Sequence, residues 1–185
     1  MRAFIAVDLN EEIRGIIAEI QSALGRFSPS VRWVRPSSIH ITLRFLGEIA
    51  PDQQKRLAEM LADRKCGVPH FTIAVERMGF FPHARSPHVI WLGVEEGKNS
   101  LQELVRHVED VAADLGFLRE ERPFSPHITF GRIKFLPDVK RFLEATAPFS
   151  EIQCGTVQVR QFHLYESQLH RDGPIYTRRA SFELE

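Results

Sequence analysis

The chain has 185 residues, 43% of them hydrophobic and 26% charged, and its 24 basic and 24 acidic residues give a formal charge of zero. That length suits one domain, or two small lobes sharing a core, and the charge balance excludes a general electrostatic grip on long duplex nucleic acid, so any such contact must be local. No apolar run approaches the roughly 20 residues of a membrane-spanning helix, and the two cysteines, Cys66 and Cys154, form neither a CxxC pair nor a disulfide framework.

"MRAFIAVDLNEE" begins with one Arg and a strand-length apolar run that ends in acidic residues, without the h-region of a signal peptide, so a cytoplasmic protein is expected. Residues 2 to 8 read as a strand. Asn10 then caps a helix with Glu11 and Glu12 in its first turn and Ile13, Ile16, Ile17, Ile20 and Leu24 along one face. Residues 39 to 46 form a second strand, and Pro51 opens a second helix with Leu57, Met60 and Leu61 on one side.

Residues 70 to 77 alternate cleanly, with Phe71, Ile73 and Val75 directed to the core, and residues 88 to 94, "HVIWLGV", are apolar enough for a strand buried on both faces. "MGFFPHARSP" between them reads as a loop. Ser100 and Glu103 form a capping box for a helix carrying Leu101, Leu104, Val105, Val108, Val111 and Leu115, with Gly116 as its stop. Another strand follows at 127, then a short helix over 138 to 145. "TVQVRQFHLY" and "PIYTRRASFEL" are the last two strands, joined by an Arg-Asp-Gly turn. Val157 and Val159 lie on one parity, Phe162 and Leu164 on the other, which predicts a bulge near Arg160.

One string occurs twice. "RPSSIHIT" begins at Arg35 and "RPFSPHIT" at Arg122, so His40 and His127 stand 87 positions apart, close to half the chain. This indicates an internal duplication, and with several strands following one another without a crossover helix it predicts an α+β fold of two pseudo-symmetric, mainly antiparallel lobes. Each lobe contributes one histidine strand to a central cleft, and residues 1 to 185 are expected to act as a single two-lobed domain.

In a strand, residues two apart share a face. His40 and Thr42 therefore point one way and Ile41, Leu43 and Phe45 the other, toward the core; in the second copy His127 and Thr129 oppose Ile128 and Phe130. Two imidazoles across a narrow gap suit general acid–base catalysis, because one can be neutral while the other carries a proton. Hydroxyls and a guanidinium beside them are donors that a phosphate would fully use. The pattern reads as a metal-free phosphodiester site.

Parity makes Arg44 a further phosphate-binding candidate, and Arg132 joins it if a kink at Gly131 turns its side chain back to the cleft. Of the 24 basic residues 19 are Arg, which suits bidentate phosphate recognition, though a codon bias would give the same excess. The six other histidines, at 70, 83, 88, 107, 163 and 170, read as structural, and Pro36, Pro123 and Pro126 as fixing where strands begin.

"HITLRFLGE" and "HITFGR" resemble the paired His-x-Thr motifs of the two-histidine phosphoesterase superfamily. With "AFIAVDL" at the start and "GPIYTRRASFEL" at the end, the chain is similar throughout to its RNA 2′,3′-cyclic phosphodiesterase family, also called 2′-5′ RNA ligase-like. The resemblance implies hydrolysis of a terminal RNA 2′,3′-cyclic phosphate to a 2′-phosphate without metal or other cofactor, and weak 2′-5′ joining as the reverse reaction. It also implies His40 as proton donor, His127 as proton acceptor, and Thr42, Thr129 and Arg132 as phosphate ligands. RNA ends or nucleotides with a cyclic phosphate, tRNA halves among them, would be the partners of a monomer. The competing readings are a noncatalytic nucleotide or RNA-end binding module in the same cleft and a metal-dependent phosphohydrolase; for the latter the chain has no HExxH, His-x-His-x-His or Cys-rich ligand set.

Overall fold

In the computed structural model, which describes every residue except Asp172, the chain folds as an α+β protein with two antiparallel sheets. β1 (Arg2–Asp8) leads into α1 (Glu11–Ala23), where the Asn10 side chain accepts a hydrogen bond from the Ile13 amide at 3.0 Å and satisfies one of the helix's orphan donors. After β2 (Val31–Trp33) comes the first histidine strand, β3 (His40–Glu48), and then α2 (Pro51–Asp63). β4 (Phe71–His83), β5 (Ser86–Val94) and α3 (Lys98–Asp114) lead to the second histidine strand, β6 (His127–Ile133). α4 (Val139–Thr146), β7 (Gln153–Val159), β8 (Gln161–His170) and β9 (Gly173–Glu183) follow, and three short 3-10 turns lie in the connections.

The first sheet has the order β3-β1-β8-β9 and the second β2-β6-β5-β4-β7. The first therefore joins the two ends of the chain. Each lobe borrows a helix from the other half: α1 follows a strand of the first sheet but packs on β7 of the second, while α3 follows a strand of the second and packs on β3 of the first. Ile13, Ile17 and Ile20 of α1 and Leu101, Leu104, Val108 and Val111 of α3 are buried in one contiguous apolar cluster with residues of both sheets. Among the described residues no helix is long and apolar enough to cross a membrane.

Three local expectations are corrected. "MGFFPHARSP" is not a loop: β4 and β5 continue through it as a hairpin paired from Val75 with Val94 to His83 with Ser86, because Met78 and Phe80 find core partners there. The Ser100–Glu103 capping box does not form; α3 starts earlier, after Gly97 at φ 78, where a Cβ would come within 2.4 Å of the Thr72 carbonyl oxygen. The parity change at Arg160 is not a bulge in one strand. There the chain leaves the second sheet at Val159 and enters the first at Gln161, so the apolar set is directed to a different sheet. The turn assigned to Arg171, Asp172 and Gly173 includes the one residue outside the described set.

Candidate active site

β3 and β6 lie side by side without a ladder between them, at the edge of one sheet and one strand in from the edge of the other. Each carries the same irregularity at the same place. Ala6 faces Thr42 and Ile5 faces Arg44, leaving Leu43 as the extra residue; Trp91 faces Thr129 and Ile90 faces Gly131, leaving Phe130 as the extra residue. A bulge inverts the alternation beyond it. The bulged Phe130 carbonyl accepts from the Val34 amide at 3.0 Å and Gln21 Nε2 at 3.1 Å, so the distortion leaves that carbonyl satisfied.

The bulges decide which residues share a strand face with each histidine. Beyond Phe130 the inversion returns Arg132 to the face of His127 and Thr129; the expected kink is present, one residue before the expected Gly131. Beyond Leu43 it removes Arg44 from the face of His40 and puts Phe45 there instead. Phe45 is 64% exposed rather than in the core, and Arg44 is only 8% exposed. The Arg44 guanidinium bonds Glu109 Oε1 of α3 at 2.5 Å and the Leu118 carbonyl, so Arg44 is set aside as a phosphate ligand.

His40 and His127 are held alike. His40 Nδ1 lies 2.9 Å from the Ser38 carbonyl oxygen and His127 Nδ1 lies 2.8 Å from that of Ser125. A carbonyl only accepts, so each ring donates from Nδ1 and presents Nε2 as its reactive nitrogen. The repeated Ser was visible in the sequence, two places before each His; that its carbonyl rather than its hydroxyl orients the ring was not.

The surroundings of the two rings differ. His40 stacks on Phe4 with ring centroids 4.7 Å apart, and Tyr176 meets it edge-on at 5.3 Å. This enclosure pushes its pKa down to about 4, partly opposed by its hydrogen bond to Ser38 and by the Asp8 carboxylate. His127 meets the edge of Phe81 at 5.0 Å, and Phe81 lies 5.1 Å from Trp91. Gly79 makes room for that indole: a Cβ there would lie 2.2 Å from it.

Phe4, Tyr165, Tyr176, Asp8 and Arg178 had no signal in the sequence beyond strand-like composition, yet they line a cavity of ≈ 420 Å³ beside His40, together with Arg14 and Ser37. Burial raises the Tyr176 pKa, and the Arg132 and Arg2 guanidiniums pull against that rise. His163, read as structural, is 1% exposed and bonds Ser181 Oγ at 2.9 Å. Among the described residues no group of three or more His, Cys, Asp or Glu side chains is placed to hold a metal ion.

Comparisons with known proteins bear on the family and the fold. The family model described as LigT-like phosphoesterase matches the chain twice, over residues 7–91 and 92–176, as an internal duplication requires. A Thermotoga maritima protein named RNA 2′,3′-cyclic phosphodiesterase is 39% identical over 176 residues, covering 95% of this chain and 91% of its own. A Methanothermobacter thermautotrophicus protein of the same name is 33% identical, covering 100% and 99%. Escherichia coli LigT, solved in complex with 3′-AMP, superposes with a TM-score of 0.79 at 30% identity, covering 99% of this chain and 97% of its own. Two matching half-length repeats, and relatives of this identity along the whole length, show that the chain belongs to the LigT-like family of two-histidine phosphoesterases.

Proposed function

We propose that residues 1 to 185 act as one two-lobed RNA 2′,3′-cyclic phosphodiesterase, opening the cyclic phosphate to a 2′-phosphomonoester. The observation that carries the reading is the pair of Nε2 atoms on matched strands, each fixed through Nδ1 by the carbonyl two residues earlier. That the full-length relatives bear this activity in their names supports the substrate class.

In the proposed reaction His127 Nε2 takes a proton from water as the water oxygen bonds to phosphorus. The bond from phosphorus to the ribose 3′ oxygen breaks, and His40 Nε2–H gives that oxygen its proton. The products are a 2′-phosphate and a 3′-hydroxyl, with the proton now on His127 to be exchanged with solvent. Thr42, Thr129 and Arg132 share the cleft face with the two rings, and their donors stabilise charge on the nonbridging oxygens. With an RNA 5′-hydroxyl in place of water, His127 Nε2 takes that hydroxyl's proton, the 5′ oxygen bonds to phosphorus, and the 3′ oxygen leaves with a proton from His40, which joins the two ends through a 2′-5′ bond. No resident cofactor is required, and the protein works as a cytoplasmic monomer on RNA ends such as tRNA halves.

The test is incubation with a short RNA ending in a 2′,3′-cyclic phosphate, in excess chelator, followed by identification of the phosphate position. A 2′-phosphate is the expected product. Binding without turnover would replace the enzyme with an RNA-end binding module.

A further inference from the structure

The two lobes present near-identical histidines, and the asymmetry that assigns them different tasks has to come from what surrounds them. Register identifies one difference directly. In the ladder beside His40 the residue opposite is Asp8, whereas in the ladder beside His127 it is Gly93. Residues opposite each other across a ladder share a face with Cβ atoms roughly 5 Å apart. One histidine therefore has a carboxylate as its neighbour and the other has no side chain there. The next residue across from Gly93 is Glu76 of β4, a second strand spacing away from β6.

Asp8 is rigidly held. Its Oδ1 accepts from the Tyr165 hydroxyl at 2.7 Å, and its Oδ2 is paired with Arg178 at 2.5 Å and lies 3.5 Å from His163 Nε2. Burial and the Asp8 hydrogen bond push the Tyr165 pKa up to about 12, so that hydroxyl keeps its proton and remains a donor. Asp8 and His40 both line the ≈ 420 Å³ cavity. The other charged or titratable groups that face it are Arg14 from α1 and Tyr176 and Arg178 from β9, with Tyr165 from β8. Asp8 acts on His40 in favour of its protonated form and Arg14 acts against it.

We propose that Asp8 is a positioning residue of this site, the fixed carboxylate that makes His40 rather than His127 the proton donor. The inference rests on the acid–base reading above and adds the reason for its direction. With the site empty, enclosure by Phe4 and Tyr176 keeps His40 neutral. A bound cyclic phosphate brings a negative charge to one side of the ring while Asp8 supplies one on the other, and between them the imidazolium becomes the favoured form. His127, with Gly93 opposite, has no such carboxylate across its ladder.

The experiment compares the wild-type enzyme with Asp8→Asn on a dinucleotide 2′,3′-cyclic phosphate across pH, and follows both histidines by NMR titration in the 2′-phosphate product complex. In Asp8→Asn the alkaline limb of kcat is expected to move acidward by about one pH unit, lowering kcat above neutrality about tenfold at nearly unchanged KM. The His40 titration moves with it while that of His127 stays in place, and Asp8→Glu restores the profile. A merely structural role would alter melting temperature without moving one histidine selectively. Should Asp8→Asn not fold, Asp8→Ser gives the same readout with a smaller neutral side chain. An unmoved alkaline limb, or equal shifts of both histidines, overturns the proposal while leaving the phosphodiesterase reading intact; full turnover by His40→Ala overturns both.

Discussion

β3 and β6 began as the same strand and now differ in three ways. Each has a histidine fixed through Nδ1, a threonine two residues on and a bulge two places before the fifth residue after the histidine, but that fifth residue is Phe45 in one and Arg132 in the other. The fourth is Arg44 in one, buried against Glu109, and Gly131 in the other. The ring of His40 is enclosed by Phe4 and Tyr176, whereas the edge of Phe81 approaches His127. Duplication supplies two equivalent nitrogens, whereas the proposed acid–base reaction requires them to be inequivalent, and the divergence around a constant frame is what that proposal rests on.

The comparison breaks first at the histidines themselves. His40→Ala and His127→Ala should each lower kcat by about 10³ to 10⁴, the upper range for one general acid or base, with opposite signatures: the first loses the alkaline limb of the pH profile and the second the acid limb. Retained turnover in either would remove the mechanism. The Arg44 side of the comparison is structural. Arg44→Ala strands Glu109 in a largely buried site and should cost about 3 to 5 kcal/mol in urea unfolding. Its kcat should be within twofold of wild type, and a 100-fold loss would return Arg44 to the phosphate.

The enclosed ring also predicts a pH effect on stability. His40 folded has its pKa lowered from 6.5 to about 4, so below neutrality the unfolded chain binds the proton that the folded one refuses. Stability contributed by the neutral ring is intact above about pH 6.5 and lost as pH falls toward 4, by at most about 3 kcal/mol. Urea midpoints over that range should fall more steeply for wild type than for His40→Gln; bound phosphate should flatten the wild-type slope. Arg132→Ala should lower kcat/KM by about 10², partly restored by Lys. Thr42→Val and Thr129→Val should be the mildest, each about tenfold.

Much of this frame was legible beforehand, and the errors on the two histidine strands share one cause. The helices α1 and α2, the final strands and the two-lobed plan followed from periodicity and from the repeated string, because those depend on residues near in sequence. Strict alternation failed just past Thr42 and Thr129, where bulges invert it. That inversion misdirected Phe45 and Arg44, and it is also what returns Arg132 to the face of His127. Nothing in "HITLRFLGE" alone marks Leu43 as the extra residue; the ladder with β1 decides it.

By itself the sequence determined that there are two lobes, that each carries a histidine and a threonine on one strand face, and that these belong together, since a repeated polar pair in an apolar strand has no packing purpose. Only the tertiary structure decided what stands opposite each histidine. Asp8 and Gly93 lie 32 and 34 residues from their partners, and strand register, set by long-range pairing rather than local preference, determines that one ring has a carboxylate for a neighbour and the other a glycine.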